Sequence, residues 1–536
     1  MTPTQHPASG ALARTASRGR LAALVAVLVA GAGCILPVFA PNAGDTEEEV
    51  TPYGAPAKWR DCPEVARELV GREAPNMRYS CATIEVPRNW DTVGPNASAN
   101  LPGAGETFEI ALLRARSTKQ TDRIGSLLIN PGGPGGSGVD TAVYLSFGSA
   151  YGGVSESVTE RFDLIGFDPR GVARSSPVEC ISDARLDLMF GTEPDPRSQQ
   201  DFDKLVTLSR AIGADCGNEY GDQLPLFSTE QAARDMDAIR GAVGDPKLTY
   251  LGYSYGTLLG AVYAQLFPQN VRALVLDGAI DPQDDLVAGS ESQAQGFEKA
   301  FGNFTTWCAA TPERCPIAPD ARAAVVDALD KARVDPVRAA DGREATAGWV
   351  FYAVISSLYT ESGWAELAQA IEQLRGGNPS GVFELADSYA DRDPNGQYSN
   401  LFDANLAVNC ADEADVPTVA QVRDYQSQWR EKYPLFGAPL AVGMLSCTEW
   451  PGSRDPYPTG PAAGAPPILV VGTTGDPATP YEQAPKLAEM LGAGQLLTWD
   501  GEGHTAYPQT TCVTRAVDAY LLNLTVPAEG TVCPAR

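Results

Sequence analysis

Short apolar segments alternate with helical patterns along this 536-residue chain, and this alternation constrains its fold more than any other feature. The segments are bounded by turn residues, which is typical of strands that are buried on both faces of a sheet. They are Phe108–Leu113, Gly125–Ile129, Phe162–Phe167, Leu248–Gly252, Ala273–Leu276, Ile468–Val471 and Gln495–Trp499. We therefore predict an α/β fold with a mostly parallel sheet.

The strand pattern stops near Asp281 and resumes near Pro466, and the residues between are helix-like. A stretch of this length is too long for a loop and indicates an inserted helical domain. A Pro-rich, acidic segment before the first strands has the composition of a flexible tether. The predicted division is a tether over 41–60, a core in two parts over 61–282 and 461–536, and a helical domain over 283–460.

The first 40 residues have the pattern of a signal peptide. Three arginines precede the apolar run Leu21–Ala32, which is too short for a stable membrane span. Two processing sites fit: cleavage after Ala40, or cleavage after Gly33 with lipidation of Cys34. Both routes export the chain. We therefore expect an extracellular or cell-envelope protein that is either freely secreted or attached to the membrane only through a lipid on Cys34.

Charge and cysteine content narrow the class of protein further. The net charge of −27 repels phosphates, which argues against nucleic acid as a partner. Without Cys34, ten of the eleven cysteines remain, and an even number in an exported chain predicts up to five disulfides. Sequential pairing would make five local links, but the sequence leaves the pairing open. The chain has no C-x-x-C motif, so we expect no structural metal.

A G-x-S-x-G motif, Gly252–Gly256, is the first sign of chemistry. A predicted strand precedes it and a helical pattern follows it, which is the context of the nucleophile elbow in α/β-hydrolases. The glycines allow the sharp turn that exposes a serine at the start of a helix. Ser254 is therefore the candidate nucleophile.

A serine nucleophile needs a general base, and the histidine content identifies one. The chain has two histidines, of which His6 lies in the predicted signal peptide. His504 is thus the only histidine of the mature chain, and it follows the last predicted strand in a Gly-rich loop. We interpret His504 as the base.

The third member of a serine triad is an acid that orients the imidazole. In α/β-hydrolases the order along the chain is serine, acid, histidine. Asp476 follows the strand Ile468–Val471 and precedes His504 by 28 residues, so it is the first candidate. Asp277, at the end of the strand Ala273–Leu276, is the alternative.

A Gly-rich run, Asn130–Gly138, directly follows the strand Gly125–Ile129. Such a run leaves backbone N–H groups free to bind an anion, and this loop supplies one oxyanion donor in α/β-hydrolases. The amide of Tyr255, after the nucleophile, would be the second donor. No Lys-Ser/Thr pair follows the run, which disfavours a phosphate-binding P-loop.

Five motifs together resemble those of the exported tripeptidyl aminopeptidases, a branch of the prolyl-aminopeptidase-like α/β-hydrolases of high-GC Gram-positive bacteria. The motifs are Asn130–Gly138, Phe167–Gly171, Gly252–Gly256, Gly475–Pro477 and Gly503–His504. The resemblance covers residues 60–536. In related enzymes the oxyanion loop reads His-Gly-Gly-Pro-Gly, whereas Pro131 stands here in place of that histidine.

The resemblance implies a helical cap over the active site and peptide substrates with a free N-terminus. It also implies Gly133 as the oxyanion donor of the loop. Carboxylates of the cap would bind the substrate's α-ammonium, with Glu361, Asp412 and Glu413 as candidates. No cofactor is expected, and the chain is expected to act as a monomer.

The predicted function is that of an exported serine exopeptidase that releases short N-terminal peptides through an acyl-enzyme on Ser254. Two other functions stay open at this point. An exported carboxylesterase or lipase would use the same triad, because triad residues do not distinguish amide from ester substrates. A non-catalytic envelope-binding protein that keeps the fold is the other alternative.

Overall fold

A ten-stranded sheet lies at the centre of the structure, a computed structural model that describes residues 50–94, 98 and 100–535. The strand order is β1-β2-β3-β5-β4-β6-β7-β10-β11-β12, and β8 with β9 forms a separate hairpin. The strands are β1 Arg60–Asp61, β2 Met77–Pro87, β3 Thr107–Ser117, β4 Gly125–Asn130, β5 Phe162–Phe167, β6 Leu248–Tyr253, β7 Val271–Asp277, β8 Val337–Arg338, β9 Glu344–Ala345, β10 Ile468–Gly475, β11 Gly494–Glu502 and β12 Val532–Cys533.

From β5 to β12 the neighbouring strands are parallel, whereas β1, β2 and β3 are antiparallel to their neighbours. All seven predicted segments are strands of this sheet. The prediction of a mostly parallel α/β-hydrolase sheet is confirmed. The strand β2 was not predicted because polar residues such as Arg78 and Glu85 interrupt its apolar pattern.

Helices cover both faces of the sheet. Adjacent residues of one strand point to opposite faces: Leu127 belongs to an apolar cluster with α2 and α18, and Leu128 to a cluster with α6 and α7. The helices are α1 Pro63–Val70, α2 Gly138–Leu145, α3 Glu156–Thr159, α4 Asp183–Gly191, α5 Gln199–Tyr220, α6 Thr229–Ala242, α7 Tyr255–Leu266, α8 Leu286–Ala310, α9 Ala321–Val334, α10 Ala347–Leu358, α11 Gly363–Arg375, α12 Ser380–Ala390, α13 Leu401–Asp412, α14 Val419–Lys432, α15 Gly437–Gly443, α16 Leu445–Thr448, α17 Gln483–Leu491 and α18 Thr511–Asn523.

The segment between β7 and β10 consists of helices α8 to α16 and the small β8–β9 hairpin. We call α8 to α16 the cap helices. Their buried side chains, among them Trp349 and Trp364, belong to the same apolar cluster as the α6 and α7 face of the sheet. The cap helices therefore pack on the core through a continuous apolar contact. The division of the chain into domains at 283 and 460 stays a prediction.

Five disulfides each link one cysteine to the next cysteine along the described chain. The pairing is therefore sequential, which is one of the possibilities that the sequence left open. Three of the bonds lie in or beside the sheet region, and two hold cap helices. The pairs are Cys62–Cys81, Cys180–Cys216, Cys308–Cys315, Cys410–Cys447 and Cys512–Cys533.

The N-terminal part of the described chain runs along the sheet. Thr51 is fully buried; its N–H donates to the carbonyl oxygen of Thr83, and its own carbonyl accepts the N–H of Glu85. Thr51 thus pairs with β2, and the N–H of Ala57 donates to the carbonyl oxygen of Ala242 at the end of α6. The flexible tether over 41–60 stays a prediction. The predicted signal peptide and Cys34 lie outside the described residues. No helix in the described part of the chain has the length and apolar composition of a membrane span.

Candidate active site

Ser254 lies in the sharp turn between β6 and α7. Its backbone has a φ of +55° and a ψ of −124°, a strained conformation for a residue with a side chain. A hydrogen bond of 2.9 Å from Ser254 N–H to the carbonyl oxygen of Asp277 holds the turn. A Cβ at Gly252 would lie 2.4 Å from the carbonyl oxygen of Gly256. The turn therefore requires the flanking glycines, and it presents Ser254 at the start of α7.

His504 and Asp476 form a buried pair. His504 Nδ1 lies 2.9 Å from both carboxylate oxygens of Asp476, and the side chains are 1% and 0% exposed. A carboxylate at Nδ1 keeps the proton on that nitrogen and leaves Nε2 as the basic atom. The loop after β10 holds the carboxylate in place, because Asp476 Oδ1 accepts the N–H groups of Ala478 and Thr479 at 2.9 and 2.8 Å. The Thr479 hydroxyl donates to Asp476 Oδ2.

The end of β7 brings the Ser254 turn and the His504 loop together. The carbonyl of Asp277 accepts the Ser254 N–H, and the next residue, Gly278, packs against the imidazole: a Cβ there would lie 3.2 Å from His504 Cε1. The Ser254 hydroxyl forms no hydrogen bond with another residue in the described ranges. Hydrogen bonds between nucleophile and base commonly form only once substrate is bound.

Asp277, the alternative acid, makes different contacts. Its carboxylate accepts the N–H groups of Ala506 and Tyr507, at 3.0 and 2.7 Å. Complete burial raises the pKa of Asp277 to about 7. Asp277 therefore holds the chain that follows His504, whereas Asp476 is hydrogen-bonded to the imidazole itself.

The Gly-rich loop after β4 lies against the nucleophile. A Cβ at Gly132 would lie 2.9 Å from Ser254 Cβ and 3.0 Å from the backbone nitrogen of Tyr255. Gly132 N–H donates to Oδ1 of Asn130, which fixes the loop. Tyr255 is the first residue of α7, so its N–H has no acceptor within the helix. Gly132 thus lies beside Ser254 and the Tyr255 amide, and Gly133, the predicted donor of the loop, is the next residue along the chain.

The residues that follow the cap helix α10 lie against His504. The carbonyl of Tyr359 accepts the N–H of His504 at 2.8 Å, and its ring meets the imidazole edge to face at 5.3 Å. Thr360 pairs with Gly503 in an isolated antiparallel bridge. Sequence analysis missed Tyr359, because no motif marks a contact that depends on how the cap helices pack.

Glu361 lies on the His504 side of the site. It is half-buried and follows the Tyr359–Thr360 contact by one residue. Burial, and in smaller part the nearby charge of Glu361, raises the pKa of Glu502. Glu502 accepts two hydrogen bonds from the side-chain amide of Asn303. Glu361 thus belongs to an acidic region beside the His504 loop.

Asp412 is linked to Tyr255 through the side chain of Thr229. Its carboxylate accepts both the N–H and the hydroxyl of Thr229, at 2.8 and 2.6 Å. The Thr229 oxygen lies 2.6 Å from the phenol oxygen of Tyr255, so two hydrogen bonds join Asp412 to the residue after the nucleophile. Burial raises the pKa of Asp412 well above its ordinary value. These contacts anchor the end of α13 to the core.

Glu413, the next residue, is less buried than Asp412. One of its carboxylate oxygens, Oε2, accepts the N–H of Leu286 at the start of α8. Burial, with the neighbouring charge of Asp285, raises the pKa of Glu413 to about 7. Among the described residues, no group of three or more His, Cys, Asp and Glu side chains has the arrangement of a metal site.

Comparison with known proteins finds relatives along almost the full length of the chain. Residues 433–533, which contain Asp476 and His504, match the family described as TAP-like protein. Serine protease Hip1 of Mycobacterium tuberculosis is 36% identical over 529 residues, 96% of each chain.

Two further relatives carry different names. Carboxylesterase B of Mycobacterium tuberculosis is 36% identical over 524 residues, 93% of this chain and 95% of the relative. Tripeptidyl aminopeptidase of Streptomyces lividans is 31% identical over 442 residues, 80% of each chain.

Proposed function

The chain belongs to the tripeptidyl-aminopeptidase-like family of α/β-hydrolases, and on that premise we propose that it is an exported serine exopeptidase acting on peptides with a free N-terminus. The observation that carries the proposal is the buried contact of His504 Nδ1 with Asp476 beside the strained Ser254 turn. Serine, acid and histidine in this order and arrangement have the chemistry of acyl transfer.

The proposed reaction starts at Ser254. His504 Nε2 takes the hydroxyl proton as Ser254 Oγ attacks the scissile carbonyl carbon, and the carbonyl oxygen becomes negatively charged. His504 then donates the proton to the leaving amine, the C–N bond breaks, and the acyl-enzyme remains. Water then attacks the acyl carbon while His504 takes one of its protons; the ester bond to Ser254 Oγ breaks, His504 returns the proton to Oγ, and the N-terminal fragment leaves as a carboxylic acid. Asp476 stabilises the imidazolium in both halves of the reaction.

The amides of Gly133 and Tyr255 are the proposed oxyanion donors. The close packing of Gly132 on Ser254 supports this assignment, because only a residue without a side chain allows the loop to approach. Donors that are fixed before the reaction stabilise the transition state without reorganisation. Loss of one such donor costs about 10²- to 10³-fold in kcat.

Specificity for a free N-terminus requires a group that binds the α-ammonium. The cap carboxylates Glu361, Asp412 and Glu413 are the proposed ligands: Glu361 follows the Tyr359–Thr360 contact with the His504 loop, and Asp412 is linked through Thr229 to Tyr255. A buried or half-buried carboxylate binds an ammonium more strongly than an exposed one, because water competes less. Peptides with a free N-terminus are thus the proposed substrates.

The proposal of export rests on the cysteines and on the predicted signal peptide. Ten cysteines of the described residues form five disulfides, and disulfides persist in oxidising compartments outside the cytosol. We propose processing after residue 33 or 40, with Cys34 as the lipid attachment point in the first case.

A carboxylesterase is the second candidate function. The 36% identity to carboxylesterase B favours it, since the identity to serine protease Hip1 is the same. Both functions use one nucleophile and one base, because the same triad acts on amide and on ester substrates.

Two measurements test the proposal. First, a fluorophosphonate probe should label the purified protein at Ser254, and peptide mapping should find the label nowhere else. Second, kcat/KM should be compared between a tripeptide p-nitroanilide with a free N-terminus and p-nitrophenyl butyrate. Turnover of the anilide that is lost in Ser254→Ala supports the peptidase. Turnover of the ester alone favours the esterase, and failure of labelling excludes both.

A further inference from the structure

One face of α13 runs from the oxyanion loop to the acidic region beside Tyr255. Leu401, Asn405, Asn409 and Glu413 are spaced by four residues, which places them along one face of the helix. All four are half-buried, whereas the neighbouring positions toward the core are buried. We call Asn405, Asn409 and Glu413 the polar stripe of α13.

The stripe begins in contact with the oxyanion loop. A Cβ at Gly135 would lie 2.3 Å from the carbonyl oxygen of Leu401, so the loop and the start of α13 are packed backbone to backbone. The side-chain amide of Asn405 donates to the carbonyl oxygen of Pro134 at 3.0 Å. The position of α13 is thus fixed relative to the loop that carries the Gly133 amide.

The two asparagines form a hydrogen-bond chain with a defined direction. The carbonyl of Pro134 only accepts, so Asn405 must turn its Nδ2 toward it and its Oδ1 away. Asn409 Nδ2 donates to that Oδ1 at 3.0 Å. This leaves Oδ1 of Asn409 as an acceptor, and no group in the described ranges donates to it. A ligand at this position must therefore bring N–H groups.

Glu413 lies one helical turn beyond Asn409. Leu286 N–H occupies only its Oε2, and a neighbouring guanidinium, that of Arg454, donates instead to the carbonyls of Cys410 and Cys447. The Glu413 carboxylate therefore has no cationic hydrogen-bond partner among the described residues. Asn409 and Glu413 together present acceptors, which is the requirement of an ammonium group with three hydrogens.

We infer that the polar stripe of α13 binds the N-terminal segment of the peptide: Glu413 and Asn409 accept the hydrogens of the α-ammonium and the adjoining N–H, and Asn405 couples the stripe to the oxyanion loop. The inference rests on the proposed function and assigns Glu413, among the three candidate acids, as the ammonium ligand. The stripe then sets how many residues lie between the ammonium and the scissile bond.

Glu413→Gln tests the inference with a nearly isosteric change. The readout is the ratio of kcat/KM for a free tripeptide p-nitroanilide to that for p-nitrophenyl butyrate. A smaller fraction of folded enzyme lowers both values by the same factor and leaves this ratio unchanged. We expect the ratio to fall by about 10- to 100-fold, as for the loss of a charge-assisted hydrogen bond. The ratio should also approach that of the N-acetylated tripeptide anilide. Glu431→Gln, an exposed glutamate of α14, is the matched control and should leave the ratio unchanged.

Asn409→Leu provides a second variant and a second readout. Mass spectrometry of products from free peptides should show one fragment length for the wild type and mixed lengths for Asn409→Leu and Glu413→Gln. An unchanged ratio and a single fragment length in both variants, with an active wild type, overturn the inference and leave the proposed function intact. A wild type that hydrolyses the ester but no free tripeptide anilide overturns both.

Discussion

His504 Nδ1 contacts both carboxylate oxygens of Asp476 at 2.9 Å, in a site where neither side chain reaches solvent. This relationship supports the proposal that the orienting acid comes from the loop after β10. The other acid of the same sheet edge, Asp277, contacts the backbone that follows His504. Replacing one aspartate or the other should therefore have different effects on activity and stability.

Asp476→Asn should lower kcat about 10³- to 10⁴-fold, because an amide no longer holds the imidazole in the required tautomer or stabilises its positive charge. Asp277→Asn should lower the melting temperature but change kcat by less than about tenfold, because it weakens hydrogen bonds to the backbone only. Steady-state kinetics and thermal unfolding of both variants check this. The opposite order of kcat values would assign the acid to Asp277.

Gly132→Ala should strongly impair the reaction. Gly132 has a φ of +94°, and a Cβ there would lie 2.5 Å from the Tyr253 carbonyl and 2.9 Å from Ser254 Cβ, so the loop must move away from the nucleophile. We expect a fall in kcat of about 10²-fold or more, as for loss of an oxyanion donor. Gly342→Ala is the matched control: its φ is also +94°, but nothing lies within 4 Å. Equal losses in the two variants would mean that backbone strain alone is responsible.

Stability should decrease as the pH rises from about 5 to 8. Burial raises the pKa of four carboxyl groups above the ordinary value: Asp277 and Glu413 to about 7, Asp140 and Asp403 to about 6. The folded chain thus binds more protons than the unfolded chain in this range. The contribution of these four groups to the stability of the folded state is therefore complete below about pH 4. It is lost as the pH rises through their pKa values in the folded chain. Melting temperatures between pH 4 and 9 check the sign.

Asp277→Asn again supplies the control for the pH dependence. The asparagine does not titrate, so the slope of melting temperature against pH should be shallower than in the wild type, even though the variant is less stable at pH 5. A wild-type melting temperature that rises steadily up to pH 8 would contradict the direction given for these groups.

The disulfide at the end of α13 should contribute more stability than the shortest one. Cys410–Cys447 closes a loop of 37 residues and Cys308–Cys315 a loop of 7, which correspond to roughly 4 and 2 kcal/mol in the chain-entropy treatment. Replacing each pair by serines and measuring denaturant unfolding checks the order. Replacement of Cys410 and Cys447 should also lower peptidase activity, because this disulfide holds the end of the polar stripe. Equal unfolding midpoints would contradict the entropic account.

Sequence analysis predicted those parts of the site that depend on residues close together in the sequence. The Ser254 turn follows from glycines within two residues, and His504 from its being the only histidine after the predicted signal peptide. The strands around them are continuous apolar runs. Such features depend on near neighbours in the chain, and the structure has them where the sequence predicts them.

Contacts between distant segments could not be predicted in the same way. Tyr359 meets His504 and Asn405 meets Pro134 across 145 and 271 residues, and both contacts depend on how the cap helices dock on the core. Neither residue stands in a distinctive motif. The attachment of Thr51 to β2 was missed for a related reason, because backbone pairing is independent of the polar side chains around it.

The central claim is that Ser254 cleaves peptides from a free N-terminus, and mass spectrometry of products from matched peptides tests it most directly. Peptides with free and with acetylated N-termini are incubated with the wild type and with Ser254→Ala. The account predicts N-terminal fragments of one length from the free peptides, none from the acetylated peptides, and none with Ser254→Ala. Fragments from acetylated peptides, or fragments that persist in Ser254→Ala, would contradict it.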